Sequence, residues 1–242
     1  MQYKVLIFFL FIFVLFSCNK NPVDSNEEET VTDIDGNTYK IVKIGDQWWM
    51  SENLKVTHYQ NGDTIPNVIE NSKWCDITYG AYCTYNNVDS NLNIYGILYN
   101  WYAVNDSRGL APTGWHVPND LEWKELEIYL GMNLGVVDSI YFRGEDEGGK
   151  MKEAGYQHWY SPNVGASNES GFSALPGGFR NAIGQRFSEG NFYYLGYAGY
   201  WWTSTEDSIY AWDRMLNRNN SDIFRSYNGK QTGFSVRCVK DK

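Results

Sequence analysis

Two short aromatic runs offer the clearest chemistry in this chain. One is His158–Trp159–Tyr160; the other is Tyr193, Tyr194 and Tyr197 in a glycine-bearing stretch. An aromatic ring presents a flat apolar face, and tyrosine adds a polar tip. Such rings stack on the apolar faces of sugars, while asparagine amides hydrogen-bond to hydroxyls. Asn217, Asn219 and Asn220 stand together nearby. The candidate ligand contacts are therefore Trp159, Tyr160, Tyr193, Tyr194, Tyr197 and Asn219. The competing reading puts Trp159, Trp201, Trp202 and Trp212 in the core, with the tyrosines as amphipathic cover. It is the better reading for Trp201 and Trp202, which lie in a strand-like run.

Catalytic groups do not assemble in the same way. Paired-carboxylate hydrolysis needs two acids in a shaped cleft. Glu145–Asp146–Glu147 and Glu206–Asp207 sit in loop-like contexts, where charge runs are solvated. The three histidines, His58, His116 and His158, are scattered and lack a metal-binding helix spacing. His116, between Trp115 and Val117, reads as a hydrogen-bonded structural histidine. Ser170 and Ser204 have no nucleophile-elbow context. Asp33, Asp35 and Asn37 alternate as calcium ligands do, but no bidentate glutamate follows at loop spacing. Turn chemistry is the expectation there. No catalytic residue, metal or cofactor is assigned.

The elements that must position these residues are short. Asp35–Gly36 and Gly45–Asp46 bracket the alternating Tyr39, Ile41 and Ile44, which predicts hairpins. Ile94, Leu98, Trp101 and Tyr102 stand at helical spacing, which predicts one helix over 94–105. The clearest helix is 119–130. Asn119 caps it, Glu122 completes a capping box and Gly131 stops it. Its Leu121, Trp123, Leu126 and Leu130 fall mostly on one face. A short helix is expected over Lys150–Ala154. Strand-like runs follow at 171–180, 199–206, 209–216, 221–227 and 233–239, each bounded by turn residues. Helices in the first half and strands in the second make the class α+β, in one domain.

Composition narrows the partners. The chain has 242 residues, with 20 Lys+Arg against 29 Asp+Glu. Aromatics make up 17% and glycines number 23, which suits an aromatic-cored, loop-rich β fold. An acidic chain without a basic cluster has no grip on phosphate backbones, which excludes nucleic acid.

The first eighteen residues carry an address. Lys4 precedes an apolar run from Val5 to Phe16, which Ser17 and Cys18 close. A spanning helix needs about 20 apolar residues. This run is shorter, and with its positive flank it reads as an export signal. It resembles a lipobox, which implies cleavage after residue 17 and lipid on Cys18. Asn19, in place of an aspartate, resembles the outer-membrane class of Gram-negative lipoproteins. Residues 1–17 are then signal peptide, 18–30 a lipidated cysteine with a flexible acidic tether, and 31–242 the domain. Export permits a disulfide between Cys75 and Cys83, the closest pair in sequence. Cys83 with Cys238, or three buried thiols, are the alternatives.

Six motifs occur in order: YGILYNWYAV (95–104), PTGWHVPNDLEW (112–123), GGKMKEAGYQHW (148–159), NESGFSALPGGFRN (168–181), GYWWTSTE (199–206) and GFSVRCV (233–239). Together they closely resemble the Fibrobacter succinogenes major paralogous domain family, over nearly all of 31–241. The resemblance implies exported, often lipid-anchored proteins without an assigned activity. It also implies a single domain distantly similar to the C-type lectin-like fold of formylglycine-generating enzymes. In that fold a twisted, mostly antiparallel, aromatic-rich sheet fills the second half. Relatives commonly carry a cysteine just before PTGWH, where this chain has Ala111. That departure unsettles any inherited disulfide and leaves Cys75 as the substitute partner. The copper site of those enzymes needs two cysteines near the domain's end, whereas Cys238 stands alone there. The calcium-binding tripeptide of animal lectins is absent as well. These features point to a non-catalytic envelope module that binds polysaccharide or a protein partner. A structural or adhesive surface protein is the alternative, followed by an enzyme of unknown reaction.

Overall fold

The structure, a computed structural model, describes residues 29–182 and 190–242. The signal segment, Cys18 and most of the tether lie outside the described residues. The chain enters as three strands, β1 (Thr30–Thr32), β2 (Thr38–Ile44) and β3 (Gln47–Met50), joined as antiparallel hairpins. The predicted turns are present. The Asp33 carboxylate accepts from the backbone N–H of Asp35 and Asn37, the Asn37 amide and the Tyr39 hydroxyl. Those donors occupy the carboxylate, so turn chemistry is what this segment does.

Next come α1 (Asn71–Asp76), β4 (Tyr82–Cys83), α2 (Asp89–Tyr95), β5 (Leu98–Tyr99) and α3 (Trp101–Val104). The single helix expected over 94–105 is thus corrected to the end of one helix, a strand and a second helix. Gly96 makes the break. Its φ is +75°, and a Cβ there would come within 2.8 Å of Asn53 Cβ and 3.0 Å of the Leu54 carbonyl. Only glycine fits both constraints. Asn100 then restarts a helix, its Oδ1 accepting from Ala103 N–H.

Strand β6 (Trp115–His116) leads into α4 (Asp120–Tyr129). The predicted capping box forms: Asn119 Oδ1 accepts from Glu122 N–H, and Glu122 Oε2 accepts from Asn119 N–H. Trp123, Leu126 and Leu130 are buried, while Leu121 is exposed. After β7 (Tyr141–Arg143), α5 (Glu147–Met151) starts and ends three residues before the predicted 150–154.

The remainder is β8 (Gly177–Arg180), β9 (Phe192–Leu195), β10 (Ala198–Asp207), β11 (Tyr210–Asn217), β12 (Ile223–Gly229) and β13 (Val239–Lys240). Two sheets carry the fold, one ordered β1-β2-β3-β13-β6 and the other β7-β12-β11-β10-β8-β9. Among the described residues every pairing between these strands is antiparallel except β8 with β10. The class is α+β, with few short helices and curled, mostly antiparallel sheets. The run 233–239, expected as one strand, is instead a seam. Gly233, Phe234 and Ser235 bridge singly to Arg180, Tyr99 and Trp201, and only Val239 joins a strand.

The long β10–β11–β12 ribbon has two unlike faces, because paired residues in an antiparallel ladder share a face. Trp201, Arg214 and Arg225 lie across from one another in register. They face α4, whose Asp120 and Glu127 meet Arg214 at 2.9 and 2.6 Å. Arg143 and Arg225 complete the cluster at 2.7 and 2.8 Å. Burial pushes the Asp120 carboxyl up, but Arg225, Arg214 and Lys124 outweigh it and hold it well below the usual carboxylate range. On the opposite face Trp202, Asp213 and Ser226 form one row, and Tyr200, Met215, Phe224 and Phe142 another.

Candidate functional site: a tyrosine surface at the β9–β10 turn

The candidate surface is built where the β9–β10 turn meets the 156–165 loop and the β11–β12 turn. Tyr160 N–H donates to the Gly196 carbonyl at 2.8 Å, and Arg218 N–H donates to the Tyr197 carbonyl at 3.0 Å. Val164 N–H donates in turn to the Arg218 carbonyl at 2.8 Å. Gly196 is needed here: a Cβ would press on the Tyr160 ring at 2.9 Å. The rings of Tyr160 and Tyr197 stand edge to face, 5.0 Å between centroids. They remain 54% and 42% exposed. The Arg218 guanidinium lies over Tyr197 at 4.5 Å, and its Nη1 also donates to the Ser161 carbonyl.

Beneath the surface, one buried cation ties the loops together. Lys152 Nζ donates to the carbonyls of Val164, Asn217 and Asn220 at 2.8, 3.0 and 2.7 Å. Lys152 is fully buried, and burial pulls its ammonium down to about 8, against a weak opposing effect of Asp222. Asn219 is exposed at the tip of the β11–β12 turn, where Asn217 Oδ1 accepts from its N–H at 2.8 Å. Tyr160, Tyr197 and Asn219 are thus carried by three loops that share one set of backbone bonds.

The other expected contacts separate. Trp159 is completely buried, its indole N–H donating to the Ala174 carbonyl at 3.0 Å and its ring 5.5 Å below Lys152. It is a core residue, and the expectation of ligand contact is corrected: the indole's only polar group is already spent inside. Tyr193 is half-buried, packed on the core with its ring 5.7 Å from Phe179. Tyr194 is 44% exposed and stacks on Phe179 at 5.9 Å, with the Tyr193 ring 6.5 Å away. Its φ of +66° is unusual for a bulky residue in a strand. Trp201 and Trp202 are buried, as expected.

Tyr194 shares the Phe179 ring with Tyr200, on the ribbon face opposite α4. Asp213 is fully buried there, accepting from Ser226 Oγ at 3.0 Å and Asn228 Nδ2 at 2.8 Å. Burial raises its carboxyl to about 6, although Asn228 and Ser226 oppose the shift. Tyr200 and Tyr194 are the neighbouring phenols, and burial pushes the Tyr200 hydroxyl far above its usual range. Asp213 therefore orients two half-exposed polar groups rather than meeting solvent itself. The signal was an acid inside the apolar run IYAWDRML (209–216). Lys152 and Arg218 were also missed, because a basic residue near a turn ordinarily reads as solvated.

The remaining chemical candidates are structural. His116 accepts or donates between Glu122 at 2.8 Å and Asp241 at 2.6 Å, and Glu122 raises its pKa. His58 pairs with Asp35 at 2.6 Å and His158 with Glu153 at 2.8 Å. Asp146 is bonded to Lys150 and Glu206 to Lys230, both at 2.9 Å. Among the described residues no group of three or more His, Cys, Asp or Glu could hold a metal ion. Cys75, Cys83 and Cys238 are buried thiols, so the Cys75–Cys83 disulfide is corrected. Cys75 rides on α1, whereas the Cys83 thiol on β4 faces the Arg180 guanidinium. Burial pushes it up to about 12 against that cation. Three buried thiols was the alternative the spacing had left open.

The family model described as the Fibrobacter succinogenes major domain matches residues 42–240. The chain belongs to this family. The match begins inside β2 and ends at β13, so it takes in the whole second sheet, the first sheet from Val42 onward and the tyrosine surface. No curated protein and no solved structure matches the chain. Among the described residues no helix is long and apolar enough to cross a membrane.

Proposed function

We propose that this family member is a non-catalytic binding module, lipid-anchored in the cell envelope, that holds polysaccharide against the Tyr160–Tyr197 surface. One observation carries the reading. Two exposed rings, set at right angles, stand on loops that Lys152 ties together, and Arg218 lies over one of them. Preorganised rings lose little freedom on binding, which favours stacking on a sugar. The anchor rests on the signal and Cys18, and Asn19 favours the outer membrane, on its surface or periplasmic face. A C-type lectin-like fold agrees with strands from near both chain ends sharing one sheet and with loops carrying the site.

The test is a glycan array with detergent-solubilised full-length protein. Tyr160→Ala with Tyr197→Ala is expected to lower the signal roughly tenfold or more, since each aromatic contact is worth about 0.5–1.5 kcal/mol. The melting temperature should barely move. A second reading, an adhesive protein without a small ligand, is favoured by exposed Leu121, Leu134 and Ile209. Loss of whole-cell adhesion on gene deletion, with no array signal, would establish it and remove the saccharide reading.

A further inference from the structure

A concave feature elsewhere shares no residue with the tyrosine surface. It is an open cleft of about 660 Å³ between the segment 78–80 and the stretch 101–108. Small-molecule sites span about 300–1,000 Å³. Its walls are held in place. Asn100, fully buried, donates to the Tyr79 carbonyl at 2.8 Å and accepts from the N–H groups of Ala81 and Ala103, both at 3.0 Å. One amide therefore ties the two walls together. Gly80 lets them approach: a Cβ there would sit 3.0 Å from Ala103 Cα and far too close to the Tyr59 hydroxyl.

The lining chemistry selects a ligand class. Tyr79 lines the cleft and is 52% exposed. Tyr102 is half-buried, its hydroxyl accepting from Gln231 at 3.4 Å. Thr64, Thr78 and Asn105 add exposed hydroxyl and amide groups. Arg108 is the cation on this lining, and it is already engaged. Its fork meets Asp106 at 2.9 and 2.8 Å, and its third arm meets Asp63 at 3.1 Å. Two carboxylates around one guanidinium leave the rim net negative, which disfavours phosphate, sulfate and uronate groups. The mixture of hydroxyls and amides disfavours a purely apolar guest, because polar groups left unpaired on burial are costly.

We infer that this cleft is a second ligand site that takes a neutral saccharide, stacked on Tyr79 and hydrogen-bonded by Asn105 and the threonines. The inference rests on the saccharide reading of the function and adds to it. Two sites on one chain raise avidity for a polymer that reaches both.

Isothermal titration of the full chain with neutral hexaoses of glucose, mannose and xylose, and with an oligouronide of equal length, tests it. A neutral hexaose is expected to bind, with the oligouronide roughly tenfold weaker or worse. Tyr79→Ala and Asn105→Ala, both exposed positions, should each weaken binding severalfold without lowering the melting temperature. Unchanged affinity in both variants, with loss only in Tyr160→Ala/Tyr197→Ala, overturns the cleft and leaves the proposed function standing. Loss in Tyr79→Ala with a silent Tyr160→Ala/Tyr197→Ala keeps the cleft and removes the tyrosine surface. No binding of any hexaose to the unmodified chain removes both.

Discussion

Buried cations are handled in two ways in this protein. Under α4, Arg143, Arg214 and Arg225 each lie against a carboxylate of Asp120 or Glu127. Where loops pack against the sheet, Lys152, Arg180 at the end of β8 and Arg237 are held by carbonyls and side-chain amides. Arg180 donates to the carbonyls of Val68, Ile69 and Gly190 and to Asn71 Oδ1. Arg237 meets Asn53 Oδ1 and the carbonyls of Phe172 and Ser173, with its plane 4.2 Å from the Phe172 ring. The difference follows from backbone accounting. In a helix or sheet the carbonyls are spent on the ladder, so a buried charge there needs an acid. Loops have carbonyls to spare, and a buried cation supplies the donors they lack. Charge pairing clamps elements together here, while carbonyl capping gives loops a shape.

The acid-paired cluster under α4 should be the most sensitive part of the molecule. Glu127→Gln should cost about 3–5 kcal/mol, because it leaves Arg143 and Arg214 buried beside a neutral amide. Urea unfolding measures it; a loss below about 1 kcal/mol would mean the cluster is dispensable.

Lys152→Met sharpens the other half. It removes three donors from loop carbonyls that lie close to solvent, for an expected loss of about 1–3 kcal/mol. Its effect should concentrate in saccharide binding, since Tyr160 and Asn219 lose their common tie. Both regions gain stability as pH rises, but in separate windows and for opposite reasons. The Asp120 pKa is depressed by folding, so its contribution is present above the unfolded value of 3.8 and is lost as pH falls towards the folded value. The Lys152 pKa is also lowered, to about 8 from 10.5, but for a cation this means that folding disfavours the charged form. Stability should therefore climb between about pH 8 and 10.5. That climb should shrink in Lys152→Met while the acid limb stays.

The smallest expected effect lies at the α4 cap. Asn119→Ala should cost about 1 kcal/mol by thermal unfolding. A much larger loss would show that the cap also positions Asp120 for its arginines.

How far the sequence could be read follows the same division. Helix α4 was legible because a capping box is local, with Asn119 and Glu122 three residues apart. The β10, β11 and β12 strands were legible from β-branched and aromatic runs between turn residues. The 94–105 segment was misread because Leu98 and Trp101 mimic a helical stripe, while the decisive contact, Gly96 against Asn53 and Leu54, comes from a distant part of the chain. Tyr160 and Tyr197 were picked out separately by residue type, and their meeting was not encoded in any spacing. Trp159 was misassigned for the converse reason: residue type does not say which neighbour of a pair turns inward. Lys152 and Arg180 escaped notice because their partners are backbone carbonyls, which no residue name reveals.

Strand β13 has a consequence for how the protein is made. Its Val239 lies between Trp49 of β3 and His116 of β6, so a residue translated long after both partners occupies the position between them. Until Val239 has been made, the two strands it joins have nothing between them. Completion of this sheet is thereby postponed until that residue leaves the ribosome. A nascent chain stalled before Val239 would remain a substrate for chaperones and proteases, however complete its ribbon of long strands had become.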